Sequence, residues 1–257
     1  MSRKSPHGWR SVFFVLAVLP TAPGFAAHPL ITEDTGTQGL GNWQLELTTE
    51  LGHDEVADAE YDAADIAATV SYGALDNLDL MLTLPYGRTD SKENGETTRE
   101  DGLGDVGLDA KWRFFEQDRL SLALKTGATF ATGDETKGLG AGKFNAGVSL
   151  ITSYETEQWG AHLHLGYLQN RNIHGERDVI HHTSAALTRM ATDKLKLVAD
   201  LGRFTSADPS VSASTRFLTL GAIYAVRDNF DIDIGLKHGL SDPETDTTLL
   251  LGIALRS

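Results

Sequence analysis

From Trp43 to the end of the chain, side chains alternate between apolar and polar, a period of two that only an extended strand with two unlike faces can use. Trp43, Leu45, Leu47, Thr49 and Leu51 alternate with Gln44, Glu46, Thr48 and Glu50, and Leu78, Leu80, Leu82, Leu84 and Tyr86 with Asp79, Met81, Thr83 and Pro85. Farther on, Val106, Leu108, Ala110, Trp112 and Phe114 stand against Asp105, Gly107, Asp109, Lys111 and Arg113, so one face is charged and the other wholly apolar. The pattern continues over 120–130, 144–154, 159–167, 195–201, 218–224, 230–236 and 249–255, and more faintly over 64–72 and 180–188. Twelve strands are expected.

Their connections alternate in length. Short turns are expected near 73–77, 116–119, 155–158, 190–194 and 226–229, and long polar loops near Gly52 to Tyr61, Gly87 to Asp101, Thr132 to Lys143, Gln169 to Asp178, Arg203 to Thr215 and Gly239 to Asp246. All short turns then lie on one edge, together with both ends of the sheet. An even-stranded meander with short turns on one side and long loops on the other is the signature of a transmembrane barrel. Strands of about nine to eleven residues suit a tilted crossing of the hydrocarbon layer. Aromatics collect at strand ends, as interfacial girdles do: Trp43, Tyr72, Tyr86, Trp112, Phe130, Tyr154, Trp159, Tyr167 and Tyr224 among them. The fold expected is all-β: a closed antiparallel up-and-down transmembrane barrel of about twelve strands over residues 41–257, with both termini periplasmic. Its apolar alternate faces lipid and its polar alternate faces the lumen.

Composition agrees with that division. Mean hydropathy is −0.22, and the chain beyond its start has no apolar run near the roughly 20 residues of a spanning helix. A barrel needs only half of each strand to be apolar. There is no cysteine, hence no disulfide framework, thiol nucleophile or Cys-ligated metal. Arg3, Lys4 and Arg10, the apolar run Val12 to Leu19, and Gly24-Phe25-Ala26-Ala27 have the layout of a secretory signal, expected to be cleaved after Ala26. Without residues 1–26 the chain keeps 19 Lys plus Arg against 36 Asp plus Glu, a charge of −17. Such an acidic chain is no nucleic-acid binder. Residues 27–40 show no period, so they either dangle in the periplasm or tuck into the barrel.

Several segments resemble a known family. His28-Pro29-Leu30-Ile31-Thr32-Glu33-Asp34-Thr35-Gly36-Thr37-Gln38-Gly39, followed by Gly41-Asn42-Trp43-Gln44-Leu45-Glu46, resembles the start of proteins of the MetA-pathway of phenol degradation family. Gly102-Leu103-Gly104-Asp105, Thr132-Gly133-Asp134 with Lys137-Gly138-Leu139-Gly140, and Asp228-Asn229-Phe230-Asp231-Ile232-Asp233 are similar as well. The resemblance implies a Gram-negative outer-membrane channel, associated in some members with uptake of aromatic or other hydrophobic compounds. Barrels of this kind commonly end on an aromatic that the assembly machinery reads, whereas this chain ends Leu255-Arg256-Ser257.

The candidate pore-lining residues follow from strand parity: Glu46, Glu50, Asp79, Asp105, Asp109, Lys111, Arg113, Lys125, His162, His164, His182, Lys196, Asp200, Asp231, Asp233 and Lys237, with Asp65 beside them. Cross-strand ion pairs are the plain explanation of such a set. The functional one is control of ion preference, for which excess acid implies mild cation selectivity. His162 and His164 share a face, and symmetric pairing about the next loop puts His182 opposite His164, a patch that binds a transition metal or gates conduction on protonation. Solvated pore lining is the plainer reading. Gly102 to Gly107 matches G-x-G-x-x-G but precedes a strand rather than a helix, so it reads as a loop-to-strand junction. Gly138 to Lys143 lacks the following Ser or Thr of a phosphate loop and reads as a flexible exterior loop. No G-x-S-x-G elbow occurs. The function expected is passive passage of small solutes, apolar or aromatic ones among them, without enzymatic activity, cofactor or metal. The partners expected are outer-membrane lipid, the solute and, during biogenesis, the barrel assembly machinery. The alternatives are an outer-membrane hydrolase and a soluble periplasmic ligand-binding barrel.

Overall fold

The computed structural model describes residues 28–56, 59–93, 95–242 and 244–257; the expected signal segment lies outside them. Strands in chain order are β1 Trp43–Val56, β2 Ala59–Leu75, β3 Leu78–Glu93, β4 Glu96–Leu103, β5 Val106–Gln117, β6 Leu120–Phe130, β7 Asn145–Glu155, β8 Trp159–Gln169, β9 Val179–Met190, β10 Leu195–Phe204, β11 Thr215–Arg227, β12 Phe230–Gly239 and β13 Thr247–Arg256. Every pairing is antiparallel. Consecutive strands pair around the ring, and β1 meets β13 from Gln44↔Arg256 to His53↔Thr247, so the sheet closes. β4 and β5 share one partner: β3 pairs with β5 over 78–83 and with β4 over 86–93. They act as a single strand broken at Gly104 and Asp105, where the Gly104 N–H donates to the Pro85 carbonyl. The barrel is therefore twelve-stranded.

Alternation fixes which way each side chain points. Leu47, Ile66, Leu82, Leu108, Leu165, Leu187, Leu220, Ile234 and Ile253 are exposed on the outside, whereas Glu46, Thr69, Thr83, Lys111, Lys125, Asp200 and Thr248 are buried within. This is the inverse of a soluble fold, where a continuous apolar belt would be a liability in water. Closure pairs both edges of the sheet through β1 and β13; β4, in the extension beyond the apolar belt, pairs with β3 alone. The seam is finished by the last residues: Arg256 donates to the Gln44 side chain at 2.7 Å and to Asp231 at 2.7 Å, and the Ser257 N–H donates to the Trp43 carbonyl.

Two expected loops are strands instead. Gly52 to Tyr61 continues the β1–β2 ladder as far as Val56↔Ala59, and Gly87 to Asp101 continues β3–β4 as far as Glu93↔Glu96. Periodicity misses this extension because both its faces are polar, so no apolar contrast marks the strand. Charge pairing across the ladder holds it, Arg99 to Asp90 at 2.5 Å and His53 to Asp62 at 2.9 Å, with Arg88 reaching Asp90 along the same strand at 2.6 Å. These groups stand beyond the apolar belt, in water. Hydrogen bonds from Arg99 and then Arg88 hold the Asp90 carboxyl below its ordinary value. The hydrogen bond to Asp62 raises that of His53.

Candidate functional site

The aperiodic stretch before β1 lies inside the barrel. Residues 28–38 cross the interior on the short-turn side, and the wall is built to receive them. His28 is hydrogen-bonded to Asp233 on β12. The backbone N–H groups of Ile31 and Thr32 donate to one carboxylate oxygen of Asp200 on β10, both at 2.7 Å, and the Thr32 hydroxyl reaches its other oxygen and Ser184 on β9 at 2.6 Å. Glu33 pairs with Lys125 on β6 at 2.9 Å. Asp34 faces Lys111 on β5, whose side chain is fully buried, at 3.9 Å. The Thr35 N–H donates to Ser153 on β7, and the Gln38 N–H to both oxygens of Asp79 on β3, at 3.0 Å. Backbone bonds between Gly41 and Gly73, and from Gly73 to Asn42, then lead the chain into β1. The wall also makes room: a Cβ at Gly221 or Gly235 would sit 2.5–2.6 Å from the Pro29 ring.

The expected interior residues thus divide into groups. Asp79, Lys111, Lys125, Asp200 and Asp233 hold the segment. Glu50, Asp109, Lys125, His164, His182 and Lys237 line a cavity beyond it. Glu46 and His162 are buried in the wall, His162 bonded to Ser153 at 2.8 Å. Arg113 pairs with Glu116 at 3.2 Å near the short-turn edge, and Asp231 pairs with Arg256. Lys196 lies half-buried on the same face of β10 as Val198 and Asp200. Asp105 departs from expectation. It sits at the break between β4 and β5 and accepts the N–H groups of Thr132, Gly133 and Ala141 at 2.9–3.0 Å, so it fastens a loop and does not belong to the segment's wall. That loop is also not free, as Gly138 to Lys143 had suggested: Leu139 packs over Gly87, Gly102 and Gly104, so Gly102 and Gly104 of the first glycine-rich motif serve close packing.

The cavity lies on the long-loop side of the segment and has a volume of about 200 Å³. An engineered cavity of about 150 Å³ admits one benzene, so this one has room for a single small ring. Leu30, Ile31 and Glu33 form its floor. One wall is apolar: Leu168, Ile180, Phe204 and Phe217, with His182 stacked on Phe204 at 4.2 Å between centroids and Phe204 on Phe217 at 5.9 Å. The opposite wall carries Glu50, Asp65, Asp109, Lys125 and Lys237.

Register corrects the expected histidine patch. His164 pairs with Ser184, and His182 with Gly166, so the two imidazoles meet diagonally, ring centroids 4.4 Å apart. Among the described residues these histidines do not form a group spaced to hold a metal; His53, Glu60 and Asp62 do, exposed on the β1–β2 extension. Sequence reasoning missed Thr32, Glu33, Thr35 and Gln38 because the segment has no period. Its density of Thr, Asp, Glu and Gln was the available signal. Phe204 and Phe217 fell in or beside an expected loop.

The model of the family described as "Putative MetA-pathway of phenol degradation" matches residues 32–257. No curated protein matches the chain in sequence. Among solved structures, the COG4313 outer membrane channel from Pseudomonas putida F1 superposes with a TM-score of 0.71 at 15% identity, covering 87% of this chain and 98% of that one. The NanC porin does so with a TM-score of 0.56 at 10% identity, covering 83% and 98%. The translocator domain of autotransporter NalP from Neisseria meningitidis gives 0.51 at 14%, covering 85% and 89%. At these identities the likeness is one of fold.

Proposed function

The chain belongs to the "Putative MetA-pathway of phenol degradation" family, and from that premise we propose that it is an outer-membrane channel for passive uptake of small, ring-bearing solutes. The short-turn edge and both ends of the barrel face the periplasm, and the long loops face outward. The apolar belt, too extensive for water, supports the membrane location. Neighbours of this fold named as an outer membrane channel and a porin support the channel. The observation that carries the reading is the interior: a ring-sized cavity floored by a segment that ion pairs and hydrogen bonds hold to the wall.

Solute enters among the outer loops, rests against Phe204 and Phe217, and leaves when residues 28–38 shift from the wall. A neutral hydrogen bond of the segment contributes about 0.5–1.5 kcal/mol net, and one to a carboxylate about 1.5–3 kcal/mol. Letting go of a few costs a few kcal/mol, which leaves the open state populated at about 0.1–10%. No cofactor takes part, and the gradient alone drives the flow. Swelling of proteoliposomes in benzyl alcohol or a small sugar tests this. Deleting residues 28–38 should raise the rate by about tenfold or more, in line with that population. Absence of flux through both forms would overturn the reading.

A further inference from the structure

Charge around the cavity is unbalanced. Glu33, Glu50, Asp65 and Asp109 line it against two amines, Lys125 and Lys237. Those amines are already engaged: Lys125 with Glu33 at 2.9 Å and Asp109 at 3.8 Å, Lys237 with a further carboxylate, Glu244, at 2.8 Å. The surplus is not dispersed in solvent. Glu33 is only 2% exposed, and its Oε2 has no hydrogen-bond partner among the described residues; the same holds for Oδ2 of Asp65. A carboxylate oxygen accepts and never donates, so what completes these two must bring N–H or O–H donors. The surplus of carboxylates over amines around the cavity further favours a donor that is itself positive. Across the cavity stand the stacked rings of His182, Phe204 and Phe217, which favour a flat ring.

We propose that the cavity is a binding site for a small organic cation, a single planar ring bearing an ammonium, with the ring against Phe204 and Phe217 and the ammonium toward Glu33 and Asp65. This deepens the channel reading, on which the role of the site as a stage in passage rests. Lys125 keeps Glu33 Oε1, and the bound ammonium takes the vacant Oε2, so cargo rests directly on the segment that crosses the lumen.

The test uses three ligands of one ring size and different charge, benzylamine, benzyl alcohol and benzoate, titrated by calorimetry into the purified full chain in detergent at neutral pH. Benzylamine should bind about tenfold more tightly than benzyl alcohol, as a charge-assisted bond outweighs a neutral one, and benzoate most weakly. Asp65→Asn, on the wall and apart from the segment, should weaken benzylamine by about tenfold and leave benzyl alcohol within about twofold. Phe217→Leu should weaken both, which separates ring contact from charge. Benzyl alcohol or benzoate binding as tightly as benzylamine, no binding of any of the three, or an Asp65→Asn variant with unchanged preference would overturn the proposal. Flux through the full chain with benzylamine bound no more tightly than benzyl alcohol sinks this inference alone. Amine binding without flux in either form sinks the channel reading and leaves the site.

Discussion

The two halves of the interior use the same residue types to opposite ends. On the short-turn side, acids and amines are spent one by one on the segment: Asp200 on two backbone N–H groups and a hydroxyl, Asp79 on Gln38, Lys125 on Glu33. On the long-loop side, carboxylate atoms are left without partners around an open space. Among the described residues, Glu46 Oε2 and the side-chain amides of Gln38 and Gln44 lack partners on the short-turn side too; what sets the long-loop side apart is that its unpartnered carboxylate atoms belong to residues lining an open space, where a ligand can reach them. Strand parity alone cannot tell one from the other, since both halves present the same inward alternation.

Loosening the closed half should produce the largest change. Asp200→Ala removes the acceptor of three bonds from the segment, each to an ionised group and so contributing about 1.5–3 kcal/mol. Conductance in planar bilayers should rise about tenfold or more, while the same exchange at Asp105, outside the segment, should leave conductance unchanged. Lys125→Met comes next. It strands Glu33 and Asp109 inside the barrel, a loss of about 3–5 kcal/mol from breaking a buried pair on one side only. Thermal unfolding should fall accordingly, and Lys125→Met with Glu33→Leu should recover most of the loss. Asp105→Asn acts on the loop that Leu139 packs: cleavage by trypsin at Lys137 and Lys143 should quicken severalfold, with barrel melting shifted by less than about 1 kcal/mol.

The smallest effect belongs to the exposed extension, where solvent and salt screen each pair. The raised value of His53 means that its attraction to Asp62 is fully present below the ordinary histidine value of 6.5 and is lost as pH climbs through the raised one. Amide exchange over residues 52–56 and 59–63 should quicken modestly across that interval. Asp90 runs the other way: its depressed value makes the pairing with Arg99 and Arg88 present above the ordinary carboxylate value of 3.8 and lost as pH falls through the lower one.

The barrel was legible because lipid outside and polar groups inside impose opposite chemistry on successive residues, as Leu108, Asp109, Ala110 and Lys111 show. Where that contrast fades, the sequence signal fades too. Tyr61, Asp62, Thr89 and Asp90 pair as strands with polar residues on both faces, so they read as loop. The site was only half legible. Lys125 and Asp200 were placed inside by parity, but their ligands Glu33 and Thr32 lie in a stretch whose conformation is set by the wall around it and not by any period of its own. Glycines at 221 and 235 look like strand weakeners until Pro29 is seen to occupy the space that their missing Cβ atoms leave.

The central claim, that residues 28–38 close the path and must move for solute to pass, has one direct measurement. The chain has no cysteine, so Thr32→Cys with Ser184→Cys introduces only two thiols, at positions whose hydroxyl oxygens lie 2.6 Å apart. Single-channel and swelling assays on the double variant, oxidised and then reduced, should show flux abolished by the cross-link and restored by reductant, with each single variant insensitive to both. Equal flux in the oxidised and reduced states would contradict the account, for solute would then be crossing with the segment in place.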